Sequence, residues 1–273
     1  MEKAQLQLPD IDSEYKLTAE QINNFREDGH ILIRQLLNNK EAALYHDVIV
    51  EAALKYNTEK RALSERDTYG KAFLQIMNLW RNDADVKKFV FSKRFAKVAA
   101  ELLGVSNVRL YHDQALFKEA GGGPTPWHQD QYYWPIDTSN TITMWMPLVD
   151  INIEMGMLSF ATGSHKKGLV FDYEISDESS NAYDKYVSEN KYPISVASVM
   201  KAGDATFHYG HTIHNAPGNA SSIMRQVMTI IYVADGGRIT KPRHKYQEND
   251  LKTWMMNKPV GSLIDSELNP RLL

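Results

Sequence analysis

The stretch Pro124-Thr-Pro-Trp-His128-Gln-Asp130 sets a histidine and an aspartate two residues apart. On a β-strand that spacing puts both side chains on one face. An imidazole nitrogen and a carboxylate oxygen then enter one cavity as two adjacent corners of a metal site. The downstream stretch GDATFHYGHTIHNAPGN supplies three candidates for a further corner: His208, His211 and His214. Two histidines and one carboxylate on one side of an ion leave positions open for substrate and dioxygen, the arrangement associated with non-haem Fe(II) oxygenases. Arg225 follows in SSIMRQVMTIIYV, far enough from His214 for a turn and a return strand of an antiparallel barrel. A guanidinium fork matches a carboxylate bidentately. An open metal beside such an arginine suits a 2-oxo acid, which chelates iron through its C1 carboxylate and keto oxygen and reaches the arginine with a distal carboxylate.

The other candidates carry less. His211 is expected as a neighbouring polar group and His208 as a strand residue near the mouth. His165, in TGSHKKG, is expected to hydrogen-bond within its own turn, and His30, His46 and His244 to be surface or packing residues. His112 lies in the strand-like RLYHDQALFK, where structural and cavity-facing roles both stay open, as cavity and solvent do for Gln114 and Lys118. Trp127, Tyr132, Tyr133 and Trp134 crowd the His-x-Asp loop, as core, rim or pocket aromatics. Gly121 to Gly123 are not followed by Gly-Lys-Ser/Thr, so they form a flexible loop and not a phosphate cradle. No G-x-S-x-G nucleophile elbow is present.

Composition narrows the chemistry. Nine histidines stand beside no cysteine, which excludes disulfides, Cys-ligated zinc, iron–sulfur clusters, thiolate haem and a cysteine nucleophile. A net charge of −3 offers no basic field for nucleic acid. Apolar runs such as Val227 to Ala234 fall far short of a membrane span. The start, MEKAQLQLPDIDSEY, resembles neither a signal nor a transit peptide. A cytoplasmic enzyme or binding protein acting on a small molecule is the expectation, on one domain spanning residues 1–273.

The positioning elements change character along the chain. Residues 1–105 read as mostly helical. Thr18 caps a helix that Gly29 stops, HILIRQLL is a short strand, and apolar stripes run from Asn39 to Tyr56 and from Asp85 to Leu103, with Gly104 past the end. From Val105 short strands alternate with turn residues: Val108–Phe117, Thr141–Pro147, Leu158–Ala161, Val196–Val199, Ala205–Tyr209 and Ile223–Val233. Strands after helices predict a mainly β fold, a sandwich or barrel over residues 106–236 with helices on one side. Residues 165–195 are polar and irregular, an insert of the length that often forms a lid or binding loop. Residues 237–273 are expected as a peripheral extension.

Three segments, WHQDQYYW, MWMPLVDINIEMGMLSFATGSHKKG and GDATFHYGHTIHNAPGN with its following arginine, resemble the phytanoyl-CoA dioxygenase family of Fe(II)/2-oxoglutarate-dependent oxygenases over roughly residues 15–235. The resemblance implies a double-stranded β-helix (a cupin-like jelly roll) with N-terminal helices packed on one sheet. It implies iron on His128, Asp130 and His214, and Arg225 on the C5 carboxylate of 2-oxoglutarate. Trp145 matches a position lining the co-substrate pocket, and Gln75 and Asn78 fall where relatives place polar groups toward co-substrate or substrate. The implied reaction consumes O2 and 2-oxoglutarate, releases succinate and CO2, and oxidises an unactivated C–H bond. Halogenating relatives lack the carboxylate, so Asp130 argues for hydroxylation or a related oxidation. The insert carries both signs, Lys166, Lys167, Lys185 and Lys191 against Asp172, Glu174, Asp177, Glu178, Asp184 and Glu189. A freely diffusing metabolite is therefore expected over an acyl-CoA. The rivals are a jelly-roll metal enzyme of another class (a cupin isomerase or a dioxygenase without co-substrate), which needs no Arg225, and a non-catalytic binding protein on the same fold.

Overall fold

The computed structural model describes residues 7–171, 175 and 177–273; the first six residues, and Asp172 and Glu174 of the insert, lie outside them. Thr18 and Gln21 form a reciprocal capping box at the start of α1 (Ala19–Asp28), which ends on Gly29 at φ 83°, a left-handed conformation that costs glycine nothing. Asn38 and Glu41 cap α2 (Asn39–Tyr56) in the same way. A short α3 (Thr68–Ala72) follows. The single helix expected over Asp85 to Leu103 is two, α4 (Ala84–Val90) and α5 (Lys93–Leu103). The break falls at Ser92, whose buried hydroxyl donates to the Ile11 carbonyl at 2.8 Å; serine favours such an outside bond over helix continuation. The insert expected to be irregular contains α6 (Asp177–Glu189). The tail contains α7 (Lys245–Thr253). No helix among the described residues is long and apolar enough to cross a membrane.

The strands are β1 (His30–Ile33), β2 (Leu74–Met77), β3 (Val108–Phe117), β4 (Thr125–His128), β5 (Thr141–Pro147), β6 (Ile151–Asn152), β7 (Ser159–Ala161), β8 (Ile194–Val196), β9 (Val199–Met200), β10 (Ala205–Tyr209), β11 (His214–Ala216) and β12 (Val227–Ala234). β3, β5 and β10 have the expected bounds. The strand expected from Ile223 starts only at Val227, because the Asn219 side chain ties the Ile223 and Lys118 carbonyls into a turn (2.7 and 3.1 Å). The run expected from Val196 to Val199 divides between β8 and β9.

The fold is a mainly β jelly roll. A six-stranded sheet in the order β1-β10-β5-β12-β3-β2 faces a four-stranded sheet β4-β11-β7-β8, with β6 and β9 forming a small ribbon. All pairings are antiparallel. Alternation sorts the large sheet into two faces. Ile142, Met144 and Met146 of β5 and Met228, Ile230 and Tyr232 of β12 pack with the N-terminal helices. Thr143, Trp145, Thr229 and Ile231 point the other way, into a cavity of about 510 Å³ between the sheets.

One irregularity matters for the cavity. Ile231 pairs with His112 but Tyr232 pairs with Leu110, so Tyr111 is an extra residue in β3, a β-bulge. Before it, Val108 and Leu110 pack on the helices; after it, His112, Gln114 and Leu116 line the cavity.

The tail differs from the expected peripheral extension. The Leu110 amide donates to the Pro270 carbonyl (3.1 Å) and the Leu272 amide to the Val108 carbonyl (3.0 Å), along the part of β3 that β2 leaves unpaired. Ile239, Met255 and Ile264 bury against Tyr111, Trp134, Ile231 and Val233. Apolar burial of this kind, about 25 cal/mol per Å², makes the tail part of the barrel wall.

Candidate functional site

β4 and β11 pair in the register that sets His128 opposite His214, with ring centroids 4.2 Å apart. Asp130 opens a single 3-10 turn just after β4. Its Oδ1 lies 3.5 Å from His128 Nε2 and 3.7 Å from His214 Nε2. These three residues each bring a ligand atom within 4.8 Å of the others. Both Nδ1 atoms are taken: that of His128 faces the Pro126 carbonyl at 2.8 Å and that of His214 the Thr212 carbonyl at 2.9 Å. A carbonyl can only accept, so Nδ1 carries the proton and each Nε2 lone pair turns toward the other ligands. The donor set therefore fits a small divalent metal of the iron type.

Asp130 divides its two oxygens. Oδ1 faces the histidine pair, while Oδ2 accepts from Thr143 Oγ1 at 2.9 Å and lies 3.3 Å from His208 Nε2. Burial alone would raise this carboxyl; the imidazoles of His214, His128 and His208 hold it well below the usual range. Burial, then the neighbouring His128 and His208, pushes His214 well below its ordinary value, which keeps it neutral as a ligand must be. His208 was expected near the mouth. It is instead buried beside the metal-type cluster, because β10 pairs it with Thr143 on the inward face of β5. His211 does not line the cavity.

The residue between His128 at the end of β4 and Asp130 in the following turn has its own task. Gln129 is fully buried and points away from the cavity. Its Nε2 donates to the Gly168 and His211 carbonyls (2.8 and 2.6 Å), and its Oε1 accepts from the Val170 amide at 2.9 Å. It pins the first part of the insert to the ligand strand. Beyond that loop α6 packs outside the small sheet, where Tyr183 and Val187 meet Trp127 and Ile213, so this helix is no lid. His165, expected to bond within its turn, instead sets Nε2 on the Arg26 carbonyl at 3.1 Å and stacks on Tyr209.

Arg225 lines one end of the cavity at 2% exposure. Its guanidinium carbon lies 5.3 Å from the Trp145 ring centroid, which also lines the cavity. Nη1 donates to the Gly156 carbonyl, while Nε is buried without a partner. Burial lowers this group to about 9. Gly156, at φ 78°, admits no side chain, since a Cβ there would meet the Pro217 carbonyl oxygen at 2.5 Å and Arg225 Nη1 at 3.3 Å. Lys118 bridges Arg225 through its backbone and is also wholly buried; burial and the Arg225 charge lower it to about 6. A buried guanidinium on the cavity wall with an unpartnered Nε marks an anion's place.

Gln75 lines the cavity and donates to Gln114 Oε1 at 2.6 Å. Asn78 does not line it: its Oδ1 accepts from the Trp80 indole at 3.2 Å and its backbone sits at φ 49°. β2 ends at Met77, and the turn that follows carries Asn78 under the helices and away from the cavity.

Several lining residues come from parts of the chain without a motif. Tyr246, Asn249, Asp250 and Trp254 of the tail close the cavity together with His112. Tyr111, the bulge residue, donates its hydroxyl to Asp250 Oδ2 at 2.8 Å. No spacing in the tail signals this; a strand bulge and a helix arriving from the end of the chain create it.

A facial set of two histidines and an aspartate inside a jelly roll is the donor arrangement of non-haem iron oxygenases. The chain belongs to the phytanoyl-CoA dioxygenase (PhyH) family, whose model matches residues 25–227. It is 26% identical over 156 residues to a probable alpha-ketoglutarate-dependent hypophosphite dioxygenase of Stutzerimonas stutzeri, a match covering 55% of this chain and 53% of that protein. It is 29% identical over 152 residues to phytanoyl-CoA dioxygenase of Arabidopsis thaliana, covering 55% and 53%. The chain spans about half the length of these curated relatives. Among solved structures it resembles the non-heme alpha ketoglutarate dependent carbocyclase SnoK from nogalamycin biosynthesis, with TM-score 0.77 at 22% identity over 93% of this chain and 96% of that one.

Proposed function

We propose that this chain is an Fe(II)- and 2-oxoglutarate-dependent oxygenase that hydroxylates, or otherwise oxidises, an unactivated C–H bond of a small-molecule metabolite. One observation carries the proposal. The His128–Asp130–His214 cluster and the buried Arg225 line the same cavity. When bound, iron and 2-oxoglutarate supply the oxidising power of O2 and the electrons from decarboxylation, leaving succinate and CO2. The chain's residues do the holding. His128, Asp130 and His214 would hold iron from one side and leave the cavity side open. Thr143 and His208 fix the aspartate's second oxygen, which keeps Oδ1 aimed at the metal. Arg225, backed by Trp145, would take the distal carboxylate of the co-substrate, and Gln75 stands in the same cavity as a polar contact.

A jelly-roll enzyme without a co-substrate gains nothing from a buried arginine whose Nε has no protein partner. That favours the 2-oxoglutarate reading over the rival. Anaerobic calorimetry of the Fe(II)-loaded protein with 2-oxoglutarate should show stoichiometric binding, and admission of air should release succinate slowly without added substrate. No binding and no succinate would overturn the proposal.

A further inference from the structure

The cavity is electrically lopsided. Among the described lining residues the only lysine or arginine is Arg225. An anionic co-substrate would neutralise that arginine, and the rest of the cavity presents two carboxylates besides the metal-type Asp130: Asp67 and Asp250. Asp67 is spent as the cap of α3, accepting from the Gly70 amide at 2.7 Å. Asp250 is not so employed. Its described partners are neutral, the Tyr111 hydroxyl and the Trp254 indole.

Three further features converge on the same end. His112 lines the cavity at 3% exposure, and its Nδ1 is buried with no hydrogen-bond partner. Burial holds it neutral, down at about 3, and a neutral imidazole keeps one acceptor nitrogen. Tyr246 and Trp254 add aromatic walls, and the Tyr246 ring already takes a cation on one face, Lys245 Nζ at 4.7 Å from its centroid. Burial also drives Asp250 up to about 7, the response of a carboxylate deprived of water whose described partners are all neutral. A carboxylate, an orphaned acceptor and aromatic walls form a receptor for positive charge and repel negative charge.

We propose that the substrate carries a protonated amine, received by Asp250 and His112 between the rings of Tyr246 and Trp254, at the end of the cavity away from Arg225. This rests on the oxygenase reading for the assignment of the opposite end to 2-oxoglutarate. It names the substrate's charge and where that charge sits.

Three probes of one shape and different charge test it: benzylamine, benzyl alcohol and benzoate, titrated calorimetrically into the anaerobic protein loaded with Fe(II) and 2-oxoglutarate. Benzylamine should bind at least about tenfold more tightly than benzyl alcohol, about 1.4 kcal/mol, with benzoate weakest. Asp250→Asn should erase that preference while the affinity for 2-oxoglutarate, measured on the same sample, stays within twofold. Tyr246→Leu, which leaves the carboxylate in place, should reduce the preference severalfold and serves if the Asp250 variant fails to fold. Equal or tighter binding of the alcohol or the acid, undetectable amine binding at millimolar concentration, or an Asp250→Asn protein that keeps its preference would overturn the proposal. Lost 2-oxoglutarate binding with the amine preference intact would sink the oxygenase reading alone.

Discussion

The two ends of the cavity are built by different means. At the metal-type end, His128, His214 and His208 stand on strands whose ladders fix their relative positions, and Arg225 is bridged by its backbone to Lys118. At the other end, Asp250 and Tyr246 sit on α7 and Trp254 at its C-terminal cap. That helix is held by side-chain contacts such as Gln247 to the Tyr132 carbonyl at 2.9 Å. A ladder leaves little freedom to the chemistry common to a family; a docked helix can exchange its side chains without disturbing the sheets. The contrast suggests where invariant chemistry and substrate choice reside.

The largest effect belongs to the ladder end. His214→Ala should abolish Fe(II) binding in an anaerobic titration and bring succinate release below detection; retained stoichiometric iron would break the division. Arg225→Ala should leave iron bound and weaken 2-oxoglutarate about 100-fold, within the few kcal/mol lost when a buried charge pair is broken. A wild-type affinity there would move the co-substrate elsewhere.

At the helix end the expected effects are smaller and depend on pH. Asp250 is neutral below about 7 and ionised above it, so binding of a benzylamine probe should strengthen as pH rises from 6 to 8 and stay flat in Asp250→Asn. Tyr111 and His112 beside it do not change charge in that window, and Asp113, also raised to about 7, is turned away from the cavity onto the Leu79 amide. The same raised carboxyl value makes a stability contribution that is present at low pH and lost as pH climbs through about 7. Melting curves of the Asp250→Asn protein should therefore gain on wild type above neutrality. The smallest effect on ligands is expected from Asn78→Ala, which faces neither end: 2-oxoglutarate affinity unchanged, with about 1–2 kcal/mol of stability lost at its left-handed backbone.

The same division explains what could be read in the chain before folding. Strands β3, β5 and β10 announce themselves as short apolar runs bounded by turn residues, and the His128, Asp130, His214 and Arg225 spacing survives as a cluster and a neighbouring cation in one cavity. His112 could not be assigned because alternation holds only within an unbroken ladder, and the bulge at Tyr111 resets it. The depth of His208 leaves no local signal, because it depends on pairing with Thr143, a long-range contact. The break at Ser92 and the departure of Asn78 from the cavity are decided by tertiary hydrogen bonds and by a turn. Asp250 and Trp254 had no local signal, since their role arises from docking of the tail.

The bulge also constrains how this pocket can evolve. Loss of Tyr111 alone would leave Leu110 against Tyr232 and His112 against Ile231, a regular ladder with both faces kept. Loss of a residue farther along β3 would instead shift every residue between it and the bulge to the opposite face. Loss of Leu116, for example, would turn His112 and Gln114 against the helices and Asp113 and Ala115 into the cavity. Point substitutions can remodel the lining one side chain at a time, whereas a single-residue deletion beyond the bulge changes the whole wall at once. Viable descendants of this chain should therefore carry substitutions along β3 and length changes only at its bulge or outside the strand.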